Sequence, residues 1–410
     1  MKTIVILGAG TGGSMMANRL RRALPARSWN VVAVDRDDDH LYQPGLLFVP
    51  FGESRLEDLV RSRKSLFDPG IDLVLGELAH IDAVARRVIM ADGAILQYDI
   101  LIVATGCRLA PEGTDGLVER GWRESASDFY TPEGAGWLAR ALDRFDGGRL
   151  VVNIVEMPIK CPVAPLEFSF LADAYFTRRG IRDRVEIVYA TPLDAAFTKP
   201  RAAAMLGGLL EERKITVEPN FSVEKVDGTR RTLIGYDGRE IEYDLLVSVP
   251  LHRGSAVIDS SGLGDASGFL PTDPRTLVAK GHDHIFALGD ATDVPTSKAG
   301  SVAHFQSEVL TENVLRAIAG RSLLPDYDGH ANCFIETGHG KGLLIDFNYE
   351  TEPLPGRFPL PGIGPFTLLE ESHVNHWGKM AFRWAYWNVL ARGKDMPLDH
   401  RMLMAGKRSA

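Results

Sequence analysis

Three glycines near the start of the chain leave few folds open. Gly8, Gly10 and Gly13 stand in a GxGxxG spacing, directly after a β-branched apolar run (residues 3–7) and at the opening of a helical stretch (residues 13–24). Glycine there permits a tight reversal and close approach of a pyrophosphate to the backbone, where free N–H groups and the helix dipole bind its charge. The next apolar run, residues 30–34, ends in Asp35, 22 residues after Gly13. That is where a carboxylate accepts from a ribose hydroxyl. The glycines alone would be weak evidence. With strand, helix and acid in register they specify a cradle for an adenine dinucleotide.

Short β-branched runs continue to alternate with helical stretches, which predicts an α/β fold with two Rossmann-like units. Strands are expected at Ile100 to Ala104, 149–154, 185–189, Asp244 to Val249 and His284 to Leu288, with a hairpin near 222–243. The last of these strands returns to the character of the first unit, so the second unit reads as an insertion in the first. The expected divisions are 1–110 and 251–325 for the dinucleotide domain, 111–250 for the inserted domain and 326–410 for a C-terminal region. Residues 352–365 are rich in Pro and Gly and predict a loop. A net charge of −8 without a basic stripe argues against nucleic acid. Three cysteines exclude a disulfide scaffold. No apolar run is long enough to span a bilayer, and the first residues enter the fold with no signal-peptide pattern.

Two later segments favour FAD over NAD. Ala104-Thr105-Gly106 ends a strand, and Gly289-Asp290 follows another, as in flavoproteins with two dinucleotide-binding domains, where the aspartate meets a ribityl hydroxyl. The segment Val302 to Leu315 predicts a helix whose N-terminus stabilises the anionic reduced flavin. The inserted unit lacks its own glycine turn: there is no glycine between Gly148 and Gly180. A nicotinamide dinucleotide is therefore not expected there, and Cys161 occupies the region instead.

The chain resembles the sulfide:quinone oxidoreductases and the related flavoprotein subunits of flavocytochrome c sulfide dehydrogenase over nearly its whole length. The resemblance rests on the glycine fingerprint, Tyr42-Gln43-Pro44-Gly45 with Phe51-Gly52, Lys160-Cys161-Pro162-Val163-Ala164-Pro165-Leu166-Glu167, Val294 to Gly300, and Cys333 to Gly338 followed by Asp346-Phe347. It implies Cys161 and Cys333 as the catalytic pair. It also implies FAD held by Gly8, Gly10, Gly13, Asp35, Thr105, Gly106, Gly289, Asp290, Lys298 and Ala299, and a quinone near Phe347 and Phe366. Sulfide would open a Cys161–Cys333 bridge, and the electron pair would pass through the flavin to quinone. Many family members carry a further cysteine about twenty residues after the ATG turn; this chain has none there, and Cys107 does not match that position. No cysteine stands near Tyr42 to attach FAD covalently. The alternatives are a sulfide dehydrogenase donating to cytochrome c, a type II NADH:quinone oxidoreductase, and a thiol redox sensor without turnover. Beside Lys160 and before Pro162, Cys161 is expected at a helix N-terminus with a lowered pKa. The histidines show no metal-ligand spacing.

Residues 375–394 bring Trp377, Met380, Ala381, Trp384, Trp387 and Ala391 into helical spacing, with Lys379, Arg383, Arg392 and Lys394 between them. This predicts an amphipathic helix lying in a membrane interface, cations toward the headgroups. A helix packed on the core or in a dimer contact is the competing reading. The membrane reading makes the protein monotopic, on either face of a bacterial cytoplasmic membrane, and a homo-oligomer is admissible. It further predicts that removing residues 375–410 spares the flavin chemistry.

Overall fold

The computed structural model describes residues 1–360, 364–396 and 398–408. Strands β1 (Lys2–Leu7), β2 (Trp29–Asp35), β3 (Ile71–Leu75) and β4 (Ile100–Val103) form a parallel sheet. It is completed by the distant strand β9 (Ile285–Ala287), in the order β9, β4, β1, β2, β3. Alternate residues of β1 enter different cores: Ile4 and Ile6 join Met16, Ala17 and Leu20 of helix α1 (Thr11–Ala23), whereas Val5 and Leu7 join Val257 and Ile258. A strand covered on both faces needs an unbroken apolar run, which is what β1 supplies.

The second parallel sheet holds β5 (Gly148–Ile154), β6 (Val185–Ala190), β7 (Ile215–Glu218) and β8 (Leu245–Val249). With the short strand Ala126–Ser127 the order is Ala126–Ser127, β8, β5, β6, β7. Helix α2 (Ala164–Arg178) buries Leu166, Phe168, Phe170 and Phe176 against this sheet and the third one. Apolar on nearly every side, it is a core helix.

Beyond helix α3 (Gly300–Ile318) lies a four-stranded mixed sheet built from β10 (Ala331–Gly338), β11 (Lys341–Phe347), Phe366–Leu368 and Gly356–Phe358. Helix α4 (His373–Ala385) packs on it and runs into one π-helical turn, Tyr386–Leu390. The stretch expected to be loop at 352–365 therefore contains the edge strand Gly356–Phe358, which pairs antiparallel with Phe366–Leu368. An edge position tolerates the adjoining Pro359. The hairpin expected near 222–243 has a third strand, Glu240–Glu242.

Both parallel sheets point the carboxyl ends of their strands at one region. β1 ends before Gly8, β4 before Ala104, Ile285–Ala287 before Leu288, and β5 before the segment leading to Cys161. Cys161 N–H donates to the Lys298 carbonyl at 2.7 Å, which joins the loop after β5 to the loop after Ile285–Ala287. Open α/β sheets bind ligands at such strand ends.

Candidate active site

Glycine is required at two points of the first turn for packing and at a third for space. A Cβ on Gly8 (φ +87°) would lie 2.5 Å from the Ala104 oxygen, and one on Gly13 would lie 1.7 Å from the Gly8 oxygen. Around Gly10 there is nothing within 4 Å. Helices α1 and α3 both begin without a side-chain cap, at Gly10 and Ala299, so their first N–H groups are available to an anion. The Thr105 hydroxyl is buried without a partner. Asp290 is held above the usual carboxylate range by burial, against the pull of Lys298 and Lys160. A cradle that a Cβ would fill, an orphaned hydroxyl and two uncapped helices fit FAD.

Asp35 also braces the turn. Its carboxylate accepts from Ala9 N–H at 2.7 Å, Arg36 N–H at 2.8 Å and Arg63 at 3.0 Å. Lys298 is turned inward, 7% exposed, and donates to the carbonyls of Asp290 (3.1 Å) and Thr292 (2.8 Å). Its ammonium lies 4.1 Å from the Phe269 ring centre. It therefore stiffens the Gly289–Thr292 turn.

The second turn is built around sulfur. Cys161 has φ +48°, and α2 begins only at Ala164, with Val163 as its cap. The expected thiolate at a helix N-terminus is thus not formed. Burial, reinforced by Glu167 and opposed by Lys379, pushes the Cys161 thiol well up, and Lys160 turns away to Gln43 at 3.2 Å. Desolvation outweighs the charge that was expected to activate it. Cys333 on β10 is buried and pushed up to about 12 by burial, with Lys379 opposing and Glu167 adding. The Cys333 charge also acts on Cys161. Two thiols 172 residues apart in sequence thus share one buried ion pair.

That pair is Glu167 with Lys379. Glu167 accepts from Lys379 and from Glu336 N–H at 2.6 Å; Lys379 also donates to the Phe334 carbonyl at 3.1 Å. Behind it the Glu336 carboxylate meets His376 Nδ1 at 2.9 Å. Tyr130 donates to the Lys160 carbonyl at 3.0 Å, and burial, then the charge of Cys161, raises its phenol. Cys107 stands on the other side, beside Asp290. Burial and that carboxylate push it up to about 12, while Lys160 and Lys298 oppose. Phe347 is buried in the main core. Phe366 stacks edge-on to Phe334, centroids 5.1 Å apart, and leans on Gly378 of α4.

The sequence profile of the pyridine nucleotide-disulphide oxidoreductases matches residues 2–132 and 166–308, which include the whole of the first parallel sheet and all of the second except β5. The chain belongs to that family. Within the pyridine nucleotide-disulphide oxidoreductases its relatives include the mitochondrial sulfide:quinone oxidoreductase of Mus musculus, 27% identical, with 95% of this chain and 86% of the relative covered. The mitochondrial enzyme of the same name from Dictyostelium discoideum is 26% identical over the same shares. Among solved structures, the sulfide:quinone oxidoreductase of Aquifex aeolicus superposes with a TM-score of 0.79 at 19% identity, covering 96% of this chain and 92% of that one.

The tail departs from its expected form. Trp377 (66% exposed), Met380 and Trp384 (67%) do form an outward apolar stripe on α4. Trp387 is 1% exposed and Ala391 is also buried, packed with Tyr42 and Tyr386. The π-turn rotates residues after 385 away from the stripe, and Lys379 points inward to Glu167 rather than toward headgroups. Tyr386 hydroxyl meets Thr11 Oγ1 and His40 Nε2, both at 2.7 Å. Asn18 and Arg22 of α1 donate to the carbonyls of Ala391 and Gly393. The tail is a strap on the glycine cradle, in contact with α1 through Thr11, Asn18 and Arg22. The sequence offered Glu167 without a role, placed Lys379 among the headgroup cations, and gave no role to Glu336, His376, Tyr130 or Tyr386. Helical offset from Cys161 and strand offset from Cys333 were the only signals available for the two carboxylates.

Among the described residues, no helix is long and apolar enough to cross a membrane.

Proposed function

We propose that the protein is an FAD-dependent sulfide:quinone oxidoreductase working at a membrane surface, with Cys161 and Cys333 as its thiol pair. The observation that carries this reading is the shared Glu167–Lys379 ion pair between cysteines from two different domains. In the oxidised pair, the sulfur of HS⁻ attacks the disulfide. One S–S bond forms, one breaks, and the leaving cysteine departs as a thiolate. Both thiols are held neutral by burial, so the leaving thiolate needs a local cation, and Lys379 supplies it. FAD, when bound, would supply the two-electron acceptor between the sulfur site and quinone. Gly8, Gly10, Gly13 and the N-termini of α1 and α3 hold its charged groups; Thr105, Gly106, Gly289 and Asp290 line the strand ends beside it; Asp35, Lys298 and Ala299 support those loops. Phe366, beside α4, is the better of the two quinone-side aromatics, since Phe347 faces the core.

The outward Trp377, Met380 and Trp384 suit attachment to an interface, where each buried methylene contributes about 0.8 kcal/mol. A quinone dissolved in the bilayer would then reach the protein beside the sulfur site. The type II NADH alternative is disfavoured by the second turn, where Met157 to Val163 offers side chains in place of a glycine cradle.

Anaerobic spectroscopy of the yellow protein tests the reading. Sulfide should bleach the flavin, a quinone should restore it, and NADH should act far more slowly. Rapid bleaching by NADH with none by sulfide would transfer the assignment to NADH oxidation.

A further inference from the structure

The buried cluster behind the thiols holds more acid than fixed base. Glu167 and Glu336 are both buried, and among the described residues Lys379 is the one ammonium that acts on both. Two carboxylates against one lysine leave one negative charge without a partner. Burying an unpaired charge costs several kcal/mol, so the cluster favours holding one further proton. His376 is placed to share it: its Nδ1 lies 3.0 and 2.9 Å from the two oxygens of Glu336, and its side chain is 22% exposed. Burial raises both carboxylates above their usual range, opposed by Lys379 at Glu167 and by His376, then Lys379, at Glu336.

The neighbouring charges are already spoken for. On α2, Asp173 is closed by Arg182 at 2.6 Å, by Arg213 at 3.5 Å and by His339 at 3.1 Å. Arg213 also meets Glu371 at 3.3 Å, and His373 is bound to the Gly340 carbonyl. The uncompensated charge belongs to Glu167, Glu336, Lys379 and His376, with Cys161 and Cys333 at its inner end.

Resting on the proposed sulfide chemistry, we propose that Glu336 and His376 form the proton outlet of the dithiol site. Oxidation of HS⁻ to sulfur at the zero-valent level releases two electrons and one proton, and that proton starts inside a buried site. Glu167 takes it from sulfur: an S–H bond breaks and an O–H bond forms. Glu336, whose backbone N–H bonds the Glu167 carboxylate, takes the proton up in turn, while Lys379 stays charged beside Glu167. Glu336 then gives the proton to His376 Nδ1, and the imidazolium releases it to water. No electron moves along this route. His376 acts through Glu336 and touches no substrate, so it is a positioning and proton-carrying residue.

The test is stopped-flow flavin reduction by sulfide, against pH, in the intact protein and in His376→Gln. The variant should be slower by about a hundredfold, the low end of what a positioned acid–base group contributes. Added imidazole should restore much of the rate, and reoxidation by quinone should stay within about twofold of the parent rate. An unchanged sulfide step, or a loss that imidazole cannot restore in a variant with full FAD, overturns the outlet. Should His376→Gln lose FAD, the solvent deuterium effect on the parent protein decides: a clear slowing supports the route and its absence overturns it. If sulfide does not reduce the parent flavin at all, the proposed function fails separately. The outlet is then judged by iodoacetamide labelling of Cys161 and Cys333. Glu336→Gln removes a negative charge and should shift labelling to lower pH; an unmoved profile overturns the coupling.

Discussion

The two strand-to-helix turns of this protein occupy equivalent places in equivalent sheets and are made of opposite materials. Between β1 and α1 the backbone is bare: Gly8 and Gly13 pack where no Cβ fits, and Gly10 leaves room for a ligand. Between β5 and α2 there is no glycine, the chain takes a left-handed step at Cys161, and helix formation is delayed to Ala164. The first turn exposes N–H groups to an anion; the second buries a thiol against a carboxylate and an ammonium. One fold thus carries two unrelated chemistries, and the turn residues decide which.

Substitutions of the second turn's thiol and of its partner on β10 should have the largest effect. Cys161→Ser or Cys333→Ser should cut flavin reduction by sulfide by about a thousandfold or more while the protein stays yellow, since each removes a group that forms covalent bonds. A variant that still turns over normally would break the contrast between the turns. The first turn should answer in the opposite sense. Gly13→Val puts a side chain into the Gly8 carbonyl and should yield protein without FAD on purification, measured by the ratio of flavin to protein absorbance.

Lys379→Met leaves Glu167 buried and unpaired. Denaturant unfolding should show a loss of about 3–5 kcal/mol, as for other broken buried pairs. An effect under about 1 kcal/mol would mean that Glu167 is already neutral in the resting protein.

The strap on the first turn should titrate. His40 is buried and neutral, its pKa lowered from 6.5 to about 4 by burial and then by Arg63. The unfolded chain takes up a proton at this residue before the folded one does. Its contribution is therefore complete above about pH 6.5 and falls progressively as pH drops toward 4. Thermal melts across this window should show that slope, reduced in His40→Gln. Tyr386→Phe, which removes the hydroxyl meeting both Thr11 and His40, should cost about 1 kcal/mol and weaken FAD retention.

The smallest chemical effect belongs to the outer stripe. Trp377→Ser with Trp384→Ser should reduce co-sedimentation with lipid vesicles yet leave FAD content and sulfide-driven bleaching within about twofold of the parent. Loss of FAD in that variant would make the stripe part of the strap.

Apolar strands and the glycine turn were legible because each is a local signal: β1, β2, β5 and β8 are each built on a β-branched apolar stretch, and GxGxxG needs no distant partner to be read. The family assignment rested on motifs of the same local kind. The tail was half legible. Its spacing correctly predicted a helix with Trp377 and Trp384 outward, but it carried Trp387 onto the same face, because a single π-turn changes the period without a mark in the composition. The Gly356–Phe358 strand was hidden by its prolines and by a partner ten residues away.

Sequence by itself determined the α/β class, the place of the dinucleotide cradle, the missing second cradle and the two cysteines worth watching. Tertiary structure alone decided their state. Cys161 next to Lys160 reads as an activated thiol, yet in three dimensions Lys160 faces Gln43, and burial with Glu167 keeps the proton on sulfur. The cation that opposes them is Lys379, 218 residues downstream, on a helix that also carries the outward tryptophans. A pKa depends on what lies within a few ångströms and on how much water is excluded, and neither quantity is written in the order of residues along the chain.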